Sequence, residues 1–416
     1  MVAQTMAYAR QRAAEAPILT APSMPRPLAA SGVHRLELFS DFAAAEPHWR
    51  ALEANGVYTP YQRFDWMDAW QNNAGAAESV SPLLLASFDR AGHPLFLLPL
   101  GYVTSERCKI VRFLGGKHAN YNFGPWRRDF SCGAAGLRAL IDWLYHVQPE
   151  LDGVELLSQP ESWDGMQNPF LALPHQPSPS DGYKSAIEGS ADEVLVRLLS
   201  NSMRGRIRNK ERRLQKLPGY RYTRAATEAD VDRYLAAFLE QKAARLKAQG
   251  IENVFAEPGV AEFLRECCLI GQPEGKPVIE MHALECDGDV LAMFAGVSDG
   301  RYFSSMFNSY TLSDNARFSP GLVLLVHLVR NCAERGIKIF DLGVGEAEYK
   351  KYFCDSREIL FDSYFGLSTR GQAYVAAISA GAAIKRWIKR SPALMRLALA
   401  ARRLRAGKPE SGGETA

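Results

Sequence analysis

From residue 34 onward, hydrophobic and polar positions fall into a regular succession of short strand and helix patterns. Residues 34–39 alternate with the period of two expected of a strand, and 42–54 space their apolar side chains as a helix does. Past the loop that holds Pro60, the residues Phe64, Trp66, Met67 and Trp70 predict a second helix with an aromatic face. Two apolar runs, 82–88 and 95–103, flank Asp89-Arg90-Ala91-Gly92 and read as a hairpin. A strand over 109–114, a polar loop over 115–124, a helix over 136–147 and a strand over 153–157 complete this unit. Pro160, Pro169, Pro174, Pro177 and Pro179 then interrupt the pattern and mark a boundary.

The same order returns in the second half. A strand over 183–187 leads to one long basic helix over 191–217, then a strand over 220–224. Thr227 is the predicted N-cap of a helix over 228–248 that stops at Gly250. Strands over 278–286 and 290–297 flank Asp287-Gly288-Asp289, a strong hairpin signal. A third strand (301–309), a helix (320–335) ended by Gly336, and strands over 337–342 and 360–367 follow. The fold class predicted is α/β of the α+β kind: two related halves, each a mostly antiparallel sheet flanked by helices. The expected division is a disordered leader (1–31), a first half (32–180), a second half (181–370) and a basic amphipathic tail (371–416).

Composition adds that the 416-residue chain, 47% hydrophobic and 23% charged, is neither a disordered scaffold nor a polytopic membrane protein. Its net charge of +3 hides an asymmetry. Residues 363–409 hold ten Lys and Arg and no acid; with Glu410 and Glu414 also set aside, the first 362 residues carry −5. Residues 382–405 are predicted to be helical with a break at Ser391-Pro392. There Trp387, Ile388, Leu394, Met395 and Leu397 alternate with basic residues, as in a helix lying on an anionic membrane or in a self-docked extension. The uncharged stretch 371–384 falls short of the roughly 20 residues of a bilayer span. Seven cysteines, with no C-x-x-C and no Cys/His cluster, imply no metal and a reducing compartment. With no secretory h-region at the N-terminus, a cytoplasmic, membrane-peripheral location is expected. The window 204–216 carries seven positive charges against Glu211 but no aromatic residue, so DNA is not the expected partner. Those charges either form a solvated face or steer an anionic acceptor.

Chemistry concentrates later in the chain. In Arg317-Phe318-Ser319-Pro320-Gly321, Pro320 suits a first helical turn and Gly321 admits a ligand close to the backbone. This is either an anion cradle, with Arg317 adding a charge-assisted contact, or only a helix start. The strand Ile339-Phe340-Asp341-Leu342-Gly343 follows, and then Val344-Gly345-Glu346-Ala347-Glu348-Tyr349-Lys350-Lys351-Tyr352-Phe353. Together with Thr59-Pro60-Tyr61-Gln62, Leu98-Pro99-Leu100, His118-Ala119-Asn120-Tyr121-Asn122 and Ser202-Met203-Arg204-Gly205-Arg206-Ile207-Arg208, this order resembles the GNAT-fold acyltransferases of the CelD-like, cellulose-biosynthesis-associated group. These are cousins of the Fem aminoacyltransferases. The resemblance extends over roughly residues 32–370.

The resemblance implies tandem GNAT-like halves and an acyl-CoA-dependent N-acyltransferase acting on an amino sugar or another surface-polysaccharide or envelope precursor. Acetyl-CoA or another acyl-CoA would lie with its pyrophosphate at the start of the Pro320 helix, held by Arg317, Ser319, Gly321 and Leu322. Tyr349 would be the acid for the leaving thiolate, and Lys350 would stabilise the oxyanion or orient the acceptor. Asp341 or Glu346 would accept a proton through water, and Arg204, Arg208 and Glu346 would bind the acceptor. Each has a plainer alternative: a turn cap for Asp341, packing for Tyr349, a solvated charge for Lys350. His118, Asn120 and Asn122 either touch the acceptor or hold their loop. One glycine in the phosphate loop is fewer than the family pattern, so a Fem-like aminoacyltransferase using aminoacyl-tRNA is the alternative. A non-catalytic subunit of a polysaccharide-synthesis complex is a third reading.

Overall fold

The computed structural model describes residues 24–103, 106–391 and 394. Most of the expected leader, and the tail from residue 392 on apart from 394, lie outside the described residues. In chain order the main elements are α1 (Arg26–Ala30), β1 (Arg35–Phe39), α2 (Phe42–Asn55), α3 (Phe64–Trp70), β2 (Val80–Phe88), β3 (Pro94–Val103), β4 (Ile110–Phe113), α4 (Ala134–Val147) and β5 (Gly153–Pro160). The second series is β6 (Gly182–Ala186), α5 (Ala191–Leu198), α6 (Asn201–Leu214), β7 (Arg221–Arg224), α7 (Glu228–Gln249), α8 (Val260–Leu269), β8 (Ile279–Cys286), β9 (Asp289–Ser298), β10 (Tyr302–Tyr310), α9 (Pro320–Glu334), β11 (Ile339–Val344), α10 (Glu348–Phe353), β12 (Leu360–Gly366) and α11 (Thr369–Arg390).

Local chemistry explains the boundaries. Thr227 and Asp230 form a reciprocal capping box at the start of α7, and Gly250 closes it in the left-handed conformation (φ 64°). Asp287 and Gly288, both at positive φ, turn β8 into β9. The long helix expected over 191–217 is two helices. Leu199 and Ser200 are extended and the Ser200 hydroxyl accepts from Met203 N, so a side-chain cap restarts the helix. Helix α8 and the small hairpin of Ser162–Trp163 with Met166–Gln167 lie in stretches where the pattern predicts neither.

The two sheets have matching plans. The first runs β1-β2-β3-β4-β5-β12 and the second β7-β8-β9-β10-β11-β6, with a two- or three-residue strand outside each last member. Among the main strands pairing is antiparallel except at β4 with β5 and at β10 with β11, each joined by a connection that holds one long helix. Each sheet receives the strand that follows the other's parallel pair. β6, directly after the first half, joins β11, and β12, at the end of the second, joins β5. This reciprocal exchange ties the halves through main-chain hydrogen bonds. Trp163 stacking on Tyr302 (centroids 4.8 Å apart) and Trp66 edge-on to Phe263 (5.1 Å) add side-chain contact between them.

Helix α11 starts at Thr369, well before the helix expected from residue 382, and lies on the first sheet. Asp152 accepts from Ser368 Oγ and Arg370 Nη2, both at 2.6 Å. Further along, Gln176 donates to Ser379 O, Arg386 to Pro177 O, and Lys389 to Ser180 Oγ. Ile384 and Trp387 remain exposed.

Candidate active site

Strands β10 and β11 run parallel and pair only as far as Ser304 opposite Asp341. Beyond that point they part. β10 stays on β9 as far as Tyr310, whereas β11 turns away through Gly343 (φ 75°) and Gly345 (φ 96°). A side chain at Gly343 would put its Cβ 2.7 Å from Asn120 Nδ2 and 2.8 Å from Ser305 O. Glycine therefore lets a first-half loop close one side of the gap.

The gap holds a chamber of about 120 Å³ lined by Asn120, Lys242, Ser305, Asn308, Tyr349 and Lys350, among others. Asn308 and Tyr349 also line a second cavity of about 300 Å³, with Arg245, Tyr310, Ser319, Gly321 and Leu322. The larger cavity ends at the start of α9. There Ser319 adopts a left-handed conformation (φ 47°) and its side chain caps no helical N–H. An uncapped helix start presents free donors and partial positive charge. Lys210 of α6 reaches the Ser319 hydroxyl, so an ammonium stands at that helix start.

Asp341 is buried and its carboxylate is filled. It accepts from Tyr121 OH (2.8 Å), Gly343 N (2.7 Å) and Ser304 Oγ. Burial pushes its acidity toward the neutral form, and these donors pull it back toward the carboxylate. The first half supplies the support: Tyr61 OH bonds Ser304 Oγ at 3.0 Å, and Asn120 Nδ2 donates to Tyr61 OH (2.6 Å) and Ser305 O (3.0 Å). Tyr121 reaches Asp341 past Gly182, where any side chain would collide with the phenol.

Lys350, only 6% exposed, donates to Gly343 O (3.0 Å) and Val344 O (3.1 Å). Burial brings its ammonium down to about 8, against the opposing pull of Asp341. Two of its three protons are used on the turn. The neighbouring Tyr349 OH accepts from Asn308 Nδ2 at 3.1 Å, where the two cavities meet, and burial raises its pKa, so it stays protonated.

Of the residues singled out in the sequence, Asp341, Tyr349 and Lys350 come together at the gap, and Ser319, Gly321 and Leu322 line the adjoining cavity. Asn120 reaches the gap. His118 is instead in the core, accepting from Trp70 Nε1 at 3.2 Å, and burial lowers it to about 4. Arg317 is exposed, sits over the Phe318 ring and is not part of the cavity lining. Arg204 and Arg208 line a separate cavity of about 390 Å³ among α5, α6 and α9, with no first-half residue. Arg204 donates to Val196 O and Leu199 O, carbonyls that the break after α5 leaves unpaired. Glu346 is exposed and lines neither cavity of the gap. Sequence reasoning counted Lys210 only within the basic 204–216 window and gave no role to Lys242, Arg245 or Asn308. The available signal was Lys242-x-x-Arg245, two cations on one helical face.

Residues 201–351 match the acetyltransferase (GNAT) domain family. No curated protein matches the chain. Among solved structures, FemX is 10% identical over 82% of this chain and 98% of its own, with a TM-score of 0.53. A conserved protein of unknown function from Bacteroides thetaiotaomicron is 12% identical over 80% of this chain and 100% of its own, TM-score 0.48. L-PGS from Bacillus licheniformis is 10% identical over 80% and 95%, TM-score 0.47. The likeness to FemX is one of fold, and it extends over both halves.

The matched residues contain the splayed parallel pair and the helix between its strands, whose N-terminus opens on a cavity at the splay, so this unit is similar to acetyltransferase (GNAT) domains. The family match coincides with this unit, running from the first residue of α6 to Lys351 in α10.

Proposed function

We propose that the protein is an acyl-CoA-dependent N-acyltransferase whose acceptor is an amine on an amino sugar or another surface-polysaccharide or envelope precursor. One observation carries the donor half of this reading: the cavity at the splay ends on an uncapped helix start flanked by Lys210 and Arg245. That arrangement suits a pyrophosphate, and the two cavities joined at Asn308 and Tyr349 suit an extended thiol arm. The acceptor class rests on the resemblance to the CelD-like group.

In this reading the neutral amine attacks the thioester carbon in the small chamber. The Lys350 ammonium donates its remaining proton to the developing oxyanion. As the C–S bond breaks, Tyr349 gives its proton to the thiolate and regains one from the new amide nitrogen through solvent. Asp341, already filled by three donors, acts as a positioning residue. It fixes the Gly343 turn whose carbonyls hold Lys350. Arg204, Arg208 and Glu346 are left out of this role because they line neither cavity of the gap.

The test is thermal unfolding with CoA and acetyl-CoA. Binding at 100 times Kd adds about 2.7 kcal/mol and raises Tm. No shift with either, combined with retention of charged tRNA, would replace this reading with the Fem-like aminoacyl-tRNA one. For location we propose a cytoplasmic protein that touches anionic membrane. Exposed Ile384 and Trp387 beside Lys385 on α11 support that contact, and no helix among the described residues is long and apolar enough to cross a membrane. Equal sedimentation with anionic and neutral liposomes would remove the membrane element.

A further inference from the structure

With Lys210 and Arg245 assigned to a pyrophosphate and Lys350 to an oxyanion, the gap holds one further cation, Lys242. Lys242 and Arg245 stand three residues apart on α7, so their side chains leave the same face of the helix. Lys242 lines the small chamber and Arg245 the larger cavity. The recorded contacts of both are uncharged. Lys242 Nζ donates to Asn308 O at 3.4 Å and lies 5.6 Å from the Phe255 ring, and the Arg245 guanidinium covers the Tyr310 ring at 3.2 Å. Lys184 and Lys117, by contrast, each meet a carboxylate, Glu358 and Glu257. Among the described residues no carboxylate lies within ion-pair distance of Lys242 or Arg245. Burial lowers the pKa of both, and the charge of Arg245 adds to the effect on Lys242.

A partly buried ammonium without a counter-charge favours an anionic partner. The chamber beside it supplies none. Its ionisable lining is Lys242, Lys350 and Tyr349, its amides are Asn120 and Asn308, and the Asp341 carboxylate does not line it. Its volume of about 120 Å³ equals about four waters at ~30 Å³ each, room for a carboxylate with a short methylene stem.

We propose that the chamber beside Lys242 binds an anionic group, a carboxylate or phosphate, brought into the gap by one of the two substrates. Either the donor's acyl chain ends in a carboxylate, or the acceptor carries the anion next to its amine. The assignment to a substrate rests on the acyl-transfer reading; the anion site does not.

The experiment compares the full-length wild type with Lys242→Met by thermal shift and calorimetry. The probes are succinate, inorganic phosphate, CoA, acetyl-CoA and succinyl-CoA. Lys242→Gln replaces the methionine variant if that one does not fold, and Lys210→Met controls for anions bound at the start of α9. At least one of succinate and phosphate should bind the wild type about tenfold more tightly than Lys242→Met, with Lys242→Arg restoring the affinity. CoA affinity should stay within twofold across the Lys242 variants. A tenfold preference for succinyl-CoA over acetyl-CoA, lost in Lys242→Met, identifies the acyl chain as the anion's carrier. Equal affinity for the two, with succinate or phosphate adding to the acetyl-CoA complex, identifies the acceptor. Lys242-dependent anion binding without any CoA binding keeps the chamber and removes the acyl-CoA reading. Indifference of all anionic probes to the Lys242 substitutions overturns the proposal.

Discussion

The two halves repeat one unit, a strand, a helix and a parallel strand, yet they use it in opposite ways. In the first half the last parallel pair is Arg112 opposite Glu155, and these two neutralise each other at 2.8 Å while Glu106 and Tyr374 take the remaining guanidinium protons. In the second half the last pair is Ser304 opposite Asp341, after which the strands part around Lys242 and Lys350. The helix starts differ likewise. The first turn of α4 is covered by α1, whose Leu28 is fully buried and whose C-cap Ser31 bonds Cys132 Sγ. The first turn of α9 opens on a cavity with Lys210 beside it. A balanced charge pair and a covered helix start make a structural element, whereas unbalanced cations and an open start make the binding site proposed above. The closed half is still part of the machinery, because Tyr61, Asn120 and Tyr121 brace the open one.

The largest effect should come from Lys350→Met, which removes the proposed oxyanion donor while leaving the gap in place. Loss of one such donor lowers turnover about 10²–10³-fold. The pH profile separates this role from mere packing. Lys350 ionises near 8 in the folded chain, so its charge is present below that pH and lost as pH rises through it. Turnover should fall on the alkaline side near pH 8 in the wild type, and Lys350→Arg should carry activity to higher pH. Stability should run the other way. Between about 8 and the ordinary lysine value near 10.4 the unfolded chain binds the extra proton, so its unfolding free energy rises with pH in that window. An alkaline limb unchanged in Lys350→Arg would deny Lys350 the role.

Next in size is Leu28→Ala in the closed half. Truncating a fully buried leucine costs about 2–5 kcal/mol, visible as a lower denaturation midpoint. Because α1 covers the start of α4 and not that of α9, CoA affinity measured below the new midpoint should not change. Weakened CoA binding would show that the halves are not divided in this way. A smaller change is expected from Lys210→Met, which strips the ammonium from the open helix start. One charge-assisted contact to phosphate is worth about 1.4 kcal/mol, so the KM for acyl-CoA should rise about tenfold with kcat little altered. A fall in kcat at constant KM would move Lys210 from donor binding to chemistry.

How far this division is legible in sequence depends on the range of the interaction that creates it. Thr227 with Asp230, the Asp287-Gly288 turn and the Pro320 helix start are local devices, and each is where the pattern predicts. Tyr349, Lys350 and Asp341 lie within ten residues of one another, so one motif is enough to nominate all three. The exchange of β6 and β12 is long-range pairing that no periodicity encodes. Lys242 and Lys350 meet only because α7 crosses β10. Charge density and the motif resemblance drew attention to Arg204 and Arg208, but neither says which way a side chain faces. On α6, Lys210 reaches the Ser319 helix start, while Arg204 and Arg208 line the other cavity.

The smallest expected effect on turnover tests the comparison most directly, at Arg112 in the closed half. Burial works against the Arg112 charge, yet the bond to Glu155 and the field of Glu155 and Glu106 hold it charged. Removing it with Arg112→Met leaves Glu155, whose side chain is 8% exposed, without its partner, at a cost of one to a few kcal/mol. Arg112→Met with Glu155→Gln should recover part of that loss, because the stranded charge is gone. Turnover should stay within twofold in both variants when assayed below their melting transitions. If Arg112→Met instead lowered kcat without lowering Tm, the first parallel pair would belong to the catalytic machinery, and the contrast between a structural and a reactive splay would fail.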